Sequence, residues 1–287
     1  MTSPIKLFRD HNLKPSRRFG QNFLKDPSTA EMIISRAAVT EQDVVLEIGA
    51  GLGALTIPLT RRAKKVYAVE KDRLIFPLLE VEARDCDADR IVLLNQDILD
   101  LDLYKIAETE GRDLMVMGNL PYNISTQILI RLILARNIFS RGVLMFQKEL
   151  VRRIASAPGS RDYGRLSVML QYCAQVKKIA EIKSSLFYPR PKVDSAVVEV
   201  TFKKSPDFPA SNEAFLFKII KAAFSKRRKM LKNTLAASEL DIDIRLATAV
   251  LNAGNIDPAR RAETLSVEEF IRLSNLLYEK TGAASTG

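Results

Sequence analysis

The sequence predicts an α/β protein, with a mostly parallel sheet covered by helices on both faces and a small all-helical C-terminal domain behind it. Three observations carry this. Short apolar or β-branched runs alternate with amphipathic helical stretches over the first half of the chain. Glycine-rich or polar turns follow the apolar runs, as strand-to-helix connections require. Beyond Lys203-Lys204-Ser205-Pro206-Asp207-Phe208-Pro209, a polar linker with two prolines, every apolar pattern has helical spacing.

In chain order, Asp26 caps a helix that Pro27 opens and that continues to about Ala38. Val44–Ile48 is a predicted strand, Ala54–Arg62 a helix, Lys65–Val69 a strand, Asp72–Ala83 a helix and Ile91–Leu94 a strand. Leu114–Met117 is the next strand, then helix Thr126–Leu134, strand Val143–Phe146 and helix Glu149–Ile154. The valine-rich run Ala196–Phe202 supplies a last strand at or near a sheet edge. Phe215–Phe224, Met230–Ala237, Ile244–Leu251 and Glu268–Tyr278 are the C-terminal helices, with Ser266-Val267-Glu268-Glu269 as a capping box for the last. The expected domains are residues 1–204, including a basic N-terminal arm, and residues 205–287.

At 287 residues, with 47% hydrophobic and 27% charged, the chain suits one large and one small domain with a sizeable core. No apolar run approaches the roughly 18 residues of a membrane span, and the start lacks the apolar stretch of a secretory signal. A cytoplasmic protein with no membrane partner is expected. Cys86 and Cys173 show no pairing pattern and read as reduced thiols. With His11 as the single histidine, neither a His/Cys metal site nor histidine-driven nucleophilic catalysis is supported, so no metal is expected. The net charge of +10 favours a polyanionic partner. Its distribution says more. Lys6, Arg9, Lys14, Arg17, Arg18 and Lys25 face one acid, Asp10, while Lys218, Lys221, Lys226, Arg227, Arg228, Lys229 and Lys232 form an acid-free segment. Two such segments read as two grips on a nucleic-acid backbone rather than as solvated helix faces.

The first strand runs into Glu47-Ile48-Gly49-Ala50-Gly51-Leu52-Gly53, where glycines permit a sharp turn and close approach of a ligand to the backbone. Glu70 ends the second strand, where an acid accepts from ribose hydroxyls, and Asp97 follows the third, placed to accept from an adenine amine. A glycine turn and two acids at three successive strand ends indicate an adenosine-containing cofactor at the carboxyl edge of the sheet. The fourth strand ends in Gly118-Asn119-Leu120-Pro121-Tyr122. Proline holds Leu120 extended, so its carbonyl and the Asn119 amide oxygen are available to accept the two N–H bonds of a base amine, with Tyr122 as a stacking face. Such a clamp suits methyl transfer. Hydride transfer lacks the usual acid–base histidine beside it.

The chain resembles the ribosomal RNA adenine N6-dimethyltransferases in Arg18-Phe19-Gly20-Gln21-Asn22-Phe23-Leu24, in Gly49–Gly53 and in Asn119–Tyr122 continued by Asn123-Ile124-Ser125-Thr126. Tyr163-Gly164-Arg165-Leu166-Ser167-Val168, Phe187-Tyr188-Pro189-Arg190-Pro191-Lys192-Val193-Asp194-Ser195 and Phe224-Ser225-Lys226-Arg227-Arg228-Lys229 extend it over both domains. One departure is Ile98, where the family more often has alanine. The resemblance implies a Rossmann-like sheet that uses S-adenosyl-L-methionine as methyl donor. It implies a cofactor set of Gln21, Asn22, Leu24, Gly49, Gly51, Glu70, Asp97 and Asn119. Asn22 and Leu24 fall at the amino-acid end, Gly49 makes a backbone contact, Glu70 meets the ribose, Asp97 the adenine, and Asn119 lies between donor and substrate.

Catalysis is expected from orientation, with Asn119 and the Leu120 carbonyl gripping the amine and the target base stacked between Tyr122 and Phe187. Lys226, Arg227, Arg228 and Lys229, with Arg165, are the expected RNA contacts. The expected partner is small-subunit ribosomal RNA in an assembling small subunit, two neighbouring adenosines near its 3′ end being dimethylated by a monomer. The competing readings are a large-subunit methyltransferase of the macrolide-resistance type, an assembly factor acting by binding, and a nicotinamide oxidoreductase.

Overall fold

A computed structural model of the chain describes residues 2–226 and 228–281. These residues form two compact units: one runs to Val151 and adds Gln175–Phe202, and the other comprises Arg152–Ala174 and the chain from Lys203 onward. Instead of one cut between residues 204 and 205, the chain therefore leaves the first unit, returns to it and leaves again.

The first unit begins with α1 (Pro4–Asp10), a helix within the basic N-terminal arm for which the sequence predicts no element. Proline in its first turn is preset for helix, and Leu7 and Phe8 are buried with Phe23, Leu52, Ile75 and Leu78 in a small satellite core. The short strand β1 (Phe23–Leu24) follows, then α2 (Pro27–Arg36), whose Asp26 cap accepts from the Ser28 N–H. Next come β2 (Val44–Ile48), α3 (Thr56–Thr60), β3 (Lys65–Val69), α4 (Phe76–Glu82), β4 (Ile91–Leu94) and α5 (Leu103–Glu110). β5 (Leu114–Asn119), α6 (Ser125–Leu134), β6 (Phe139–Gln147) and α7 (Lys148–Ile154) complete the run. α8 (Arg165–Cys173) belongs to the second unit. β7 (Ala174–Ile182), β8 (Phe187–Tyr188) and β9 (Ser195–Phe202) return to the first.

Seven strands form one sheet in the order β4-β3-β2-β5-β6-β9-β7, and β1 and β8 form a separate antiparallel pair. The first five are parallel, and β9 runs antiparallel to β6. β9 is thus one place in from the edge, which β7 occupies. The chain winds outward from β2 to β4 and then resumes at β5 on the other side of β2. That reversal opens a crevice at the carboxyl ends of β2 and β5, the usual ligand position in such sheets. Every residue of β2 is buried, as expected for a central parallel strand covered on both faces.

In the second unit α8 accompanies α9 (Glu213–Ala223), α10 (Leu231–Ala236), α11 (Ile244–Ala253) and α12 (Val267–Thr281). Asn212 and Asp243 cap α9 and α11. The Ser266 hydroxyl accepts from the Glu269 N–H at 3.2 Å while the Glu269 carboxylate accepts from the Ser266 N–H at 2.8 Å, so the capping box forms. Tyr163 packs edge-on against Phe224 at 6.4 Å, and Phe224 lies 5.8 Å from Phe270. This aromatic row is why Arg152–Ala174 joins the C-terminal helices. Among the described residues no helix is long and apolar enough to cross a membrane.

Candidate active site

A cavity opens at the carboxyl ends of β2, β3 and β5, lined by the Gly49–Leu52 turn, Glu70, Asp97, Asn119–Ile124 and the arm residues Arg18–Leu24. Gly49 and Gly51 have φ of +75° and +59°, a region that favours glycine. The Gly49 and Ala50 N–H groups both bond to the Val69 carbonyl, at 2.9 and 3.0 Å, so the turn is tied to the end of β3. A Cβ at Gly51 would lie 3.1 Å from the Phe23 ring, so that glycine also lets the arm close against the turn.

Glu70 is buried and accepts from the Gly51 N–H at 2.9 Å and the Asp72 N–H at 2.8 Å. Burial raises its pKa, and those N–H groups oppose the rise. A carboxylate has about four acceptor positions, so two remain for hydroxyl donors. Asp97 caps its own turn through the Leu99 N–H at 3.0 Å and pairs with Lys71. Burial alone would raise its pKa, but Lys71, the Leu99 N–H and Arg131 bring it below the usual aspartate value.

Asn119 is the last residue of β5, beside Met145 of β6. Its Nδ2 donates to the Asn22 carbonyl at 2.7 Å. A carbonyl only accepts, so this bond fixes the amide with nitrogen toward the arm and leaves Oδ1 as the remaining acceptor. The Leu120 N–H bonds to the Met145 carbonyl at 3.2 Å, and among the described residues nothing donates to the Leu120 carbonyl. Tyr122 lines the cavity with its hydroxyl 2.7 Å from Ser195 Oγ at the start of β9, and burial raises its pKa. The arm is stitched down at two more points. Gln21 donates to Asp72 at 2.6 Å, and Asn123 Nδ2 donates to the Arg18 carbonyl at 2.9 Å.

The structure therefore brings together Gln21, Asn22, Leu24, Gly49, Gly51, Glu70, Asp97, Asn119, Leu120 and Tyr122 around one cavity. Phe187 is not among them, which corrects the expected stacking role. It is 1% exposed, pairs with Leu24 across β1 and β8, and packs in the main core beside Ile182 and Val197. Ile98 is buried and lines the cavity wall.

Sequence reasoning passed over three contributors. Asp72 and Asn123 act as anchors of the arm, the former without a sequence signal and the latter inside a motif already noted. Glu47, 1% exposed at the carboxyl half of β2, also lines the cavity. A glutamate in an otherwise apolar buried strand was the available signal.

In the second unit Lys226, Arg228 and Lys229 are exposed in the connection between α9 and α10. Arg227 lies outside the described residues. Arg165 opens α8, half-buried.

The strand order, the glycine turn and the acids at successive strand ends define a Rossmann-like methyltransferase. A family model described as ribosomal RNA adenine dimethylase matches residues 12–278, and the chain belongs to that family. It is 50% identical over 283 residues to the ribosomal RNA small subunit methyltransferase A of Desulforapulum autotrophicum, covering 99% of each chain. It is 42% identical over 269 residues to the protein of that name from Magnetococcus marinus, covering 94% of each. The crystal structure of a dimethyladenosine transferase from Plasmodium falciparum superposes with a TM-score of 0.74 at 25% identity, covering 91% of this chain and 98% of that one. The 23S rRNA methyltransferase ErmE, at a TM-score of 0.63 and 23% identity over 89% and 99% of the two chains, shares the fold.

Proposed function

We propose that this protein uses S-adenosyl-L-methionine to dimethylate the N6 amines of two adjacent adenosines near the 3′ end of small-subunit ribosomal RNA. The observation that carries the reading is the pair of acceptors at the end of β5, Asn119 Oδ1 and the Leu120 carbonyl, beside a cavity rimmed with carboxylates. The donor set fits the cofactor. Glu70 has acceptor positions for the ribose hydroxyls, Asp97 for the adenine amine, and the arm residues Gln21, Asn22 and Leu24 with the Gly49–Gly51 turn border the amino-acid end. When bound, the cofactor supplies a methyl group made electrophilic by its sulfonium.

The adenine amine is a poor nucleophile because its lone pair is delocalised into the ring. Asn119 and the Leu120 carbonyl, each accepting one N–H, draw the nitrogen toward tetrahedral geometry and direct its lone pair. No strong base is needed, because the cationic product amine is acidic and loses its proton to solvent. With Phe187 in the core, Tyr122 is the stacking face for the flipped base. The second transfer proceeds with one N–H fewer, so the clamp must work with one acceptor occupied.

Lys226, Arg227, Arg228 and Lys229 grip RNA phosphates, with Arg165 as an added contact. The double substitution Lys226→Glu and Arg228→Glu is expected to weaken RNA binding and to lower the slope of log K against log salt by about 0.7 for each lost phosphate contact on single-stranded RNA. A filter-binding series in salt measures this, and an unchanged slope removes the segment from the interface.

The names of the relatives at 50% and 42% identity support small-subunit ribosomal RNA as substrate; that a cytoplasmic monomer acts on it within an assembling subunit is part of the proposal. Undermethylated small and large subunits incubated separately with labelled donor test this. Label enters the small-subunit RNA, whereas label in large-subunit RNA alone supports the macrolide-resistance type of activity instead.

A further inference from the structure

Glu47 lies on β2 between Ala68 of β3 and Met117 of β5, under the floor of the cofactor cavity. Its Oε2 is buried and accepts no hydrogen bond of normal geometry among the described residues, and Thr56 Oγ1 on α3 makes none either, although the Thr56 hydroxyl and N–H lie close enough to favour the ionised acid in part. The contrast with Glu70 is chemical. Glu70 receives two backbone N–H groups, which favour its ionised form, whereas one oxygen of Glu47 receives none. No cation faces Glu47 from the elements around it: its neighbours across β3 and β5 are apolar, α3 offers Thr56, and the end of β3 offers the acid Glu70. Of the two cations that line the cavity, Lys71 is paired with Asp97, and Arg18 belongs to the exposed arm. Asp97 and Tyr122 are the other titratable groups there. An ionised carboxylate buried in this way is costly, so the neutral acid is preferred until a positive charge arrives.

We propose that Glu47 holds a proton until the cationic methyl donor enters the cavity, then releases it to solvent, so that the cavity favours the sulfonium donor over its product by charge. This rests on reading the cavity as an S-adenosylmethionine site. Donor and product share the same adenosine, carboxylate and amine, and the donor carries one more positive charge, on sulfur. A carboxylate formed in a poorly solvated floor attracts that charge strongly. In the protein without donor, burial pushes Glu47 up to about 8, with Thr56 opposing only part of the shift and the Glu70 charge adding to it. Ordinary assay conditions therefore fall on the protonated side.

Calorimetric titration of the protein with S-adenosylmethionine, repeated in buffers of different ionisation enthalpy, counts the protons exchanged. The expected result at pH 7 is release of about one proton per donor bound, with donor affinity rising about tenfold between pH 6 and 7.5. S-adenosylhomocysteine, which carries the same amine and so controls for its titration, releases fewer protons and has a flatter pH profile. In Glu47→Gln the extra release disappears and the ratio of donor to product affinity falls. Donor binding without proton release in the unmodified protein overturns the proposal, and that measurement needs no variant to fold. Equal release from Glu47→Gln also overturns it, assigning the proton to Glu70 or another group. No binding of the donor at any pH overturns the cofactor reading itself, and the proposal with it.

Discussion

Asn119→Ala is expected to lower the methyl-transfer rate by about a hundredfold or more, in line with the loss of one preorganised polar group at a reacting centre. The substitution removes two things at once. Oδ1 no longer accepts from the adenine amine, and Nδ2 no longer donates to the Asn22 carbonyl, a bond of 2.7 Å that holds the arm at the cavity. Asn119→Asp separates them. It keeps acceptor oxygens at the amine but sets a carboxylate against a carbonyl at the arm, where no hydrogen bond can form unless the acid is protonated. The aspartate variant therefore recovers part of the single-turnover rate while donor affinity drops. Single-turnover rates at saturating donor and RNA, with separate binding measurements, resolve the two roles. Near-normal turnover in Asn119→Ala contradicts the clamp.

Gly118→Ala is expected to have the second large effect, on stability and rate together. A Cβ at this position would lie 2.4 Å from the Ile48 carbonyl oxygen and 3.2 Å from its carbon. The obstacle is backbone of β2, in the middle of the sheet, and it cannot rotate aside as a side chain would. β5 must shift or the strands must separate, a strain of about 1–3 kcal/mol or more by analogy with overpacked cores. Asn119 follows directly, and a displacement of about 1 Å there costs on the order of a hundredfold in rate. Gly111→Ala is the control. Gly111 has φ of +61° at the end of α5 with nothing within 4 Å of an added Cβ, so its cost is limited to backbone strain of about 1 kcal/mol. Urea denaturation of both variants measures the difference. Equal, small losses contradict the close approach of β5 to β2.

The parts of the fold visible in the sequence were those whose signals are local. β2, β3 and β4 stand out as compact apolar runs, and the turn glycines and strand-end acids follow them directly. That is why the cavity lining was largely legible. β7 was not, because Lys177-Lys178 and Glu181 interrupt its apolar pattern, and the exposed side of a sheet edge tolerates such charges. α1 was hidden because its apolar residues are few and are satisfied by distant partners, Phe23 and Ile75 among them. α8 was missed because Leu166-Ser167-Val168-Met169-Leu170 is buried almost throughout, so no polar face marks a helical period.

Phe187 shows the limit most clearly. An aromatic residue opening a proline-rich loop suits a base stack as well as a core, and only its pairing with Leu24 across β1 and β8 decides for the core. Glu47 shows the converse. Its neighbours mark it as a strand residue, and its significance lies in what its carboxyl lacks, which depends on Thr56 and Glu70 arriving from other parts of the chain.

The proposed chemistry requires the cavity to hold the exocyclic amine of adenine and no other nucleophile. Nucleoside mass spectrometry of small-subunit RNA, after reaction of the undermethylated subunit with donor and purified protein, measures this directly. The expected product is N6,N6-dimethyladenosine, two residues per subunit at completion, from neighbouring positions near the 3′ end. Methyl groups on a ring nitrogen, on ribose or on another base would contradict it.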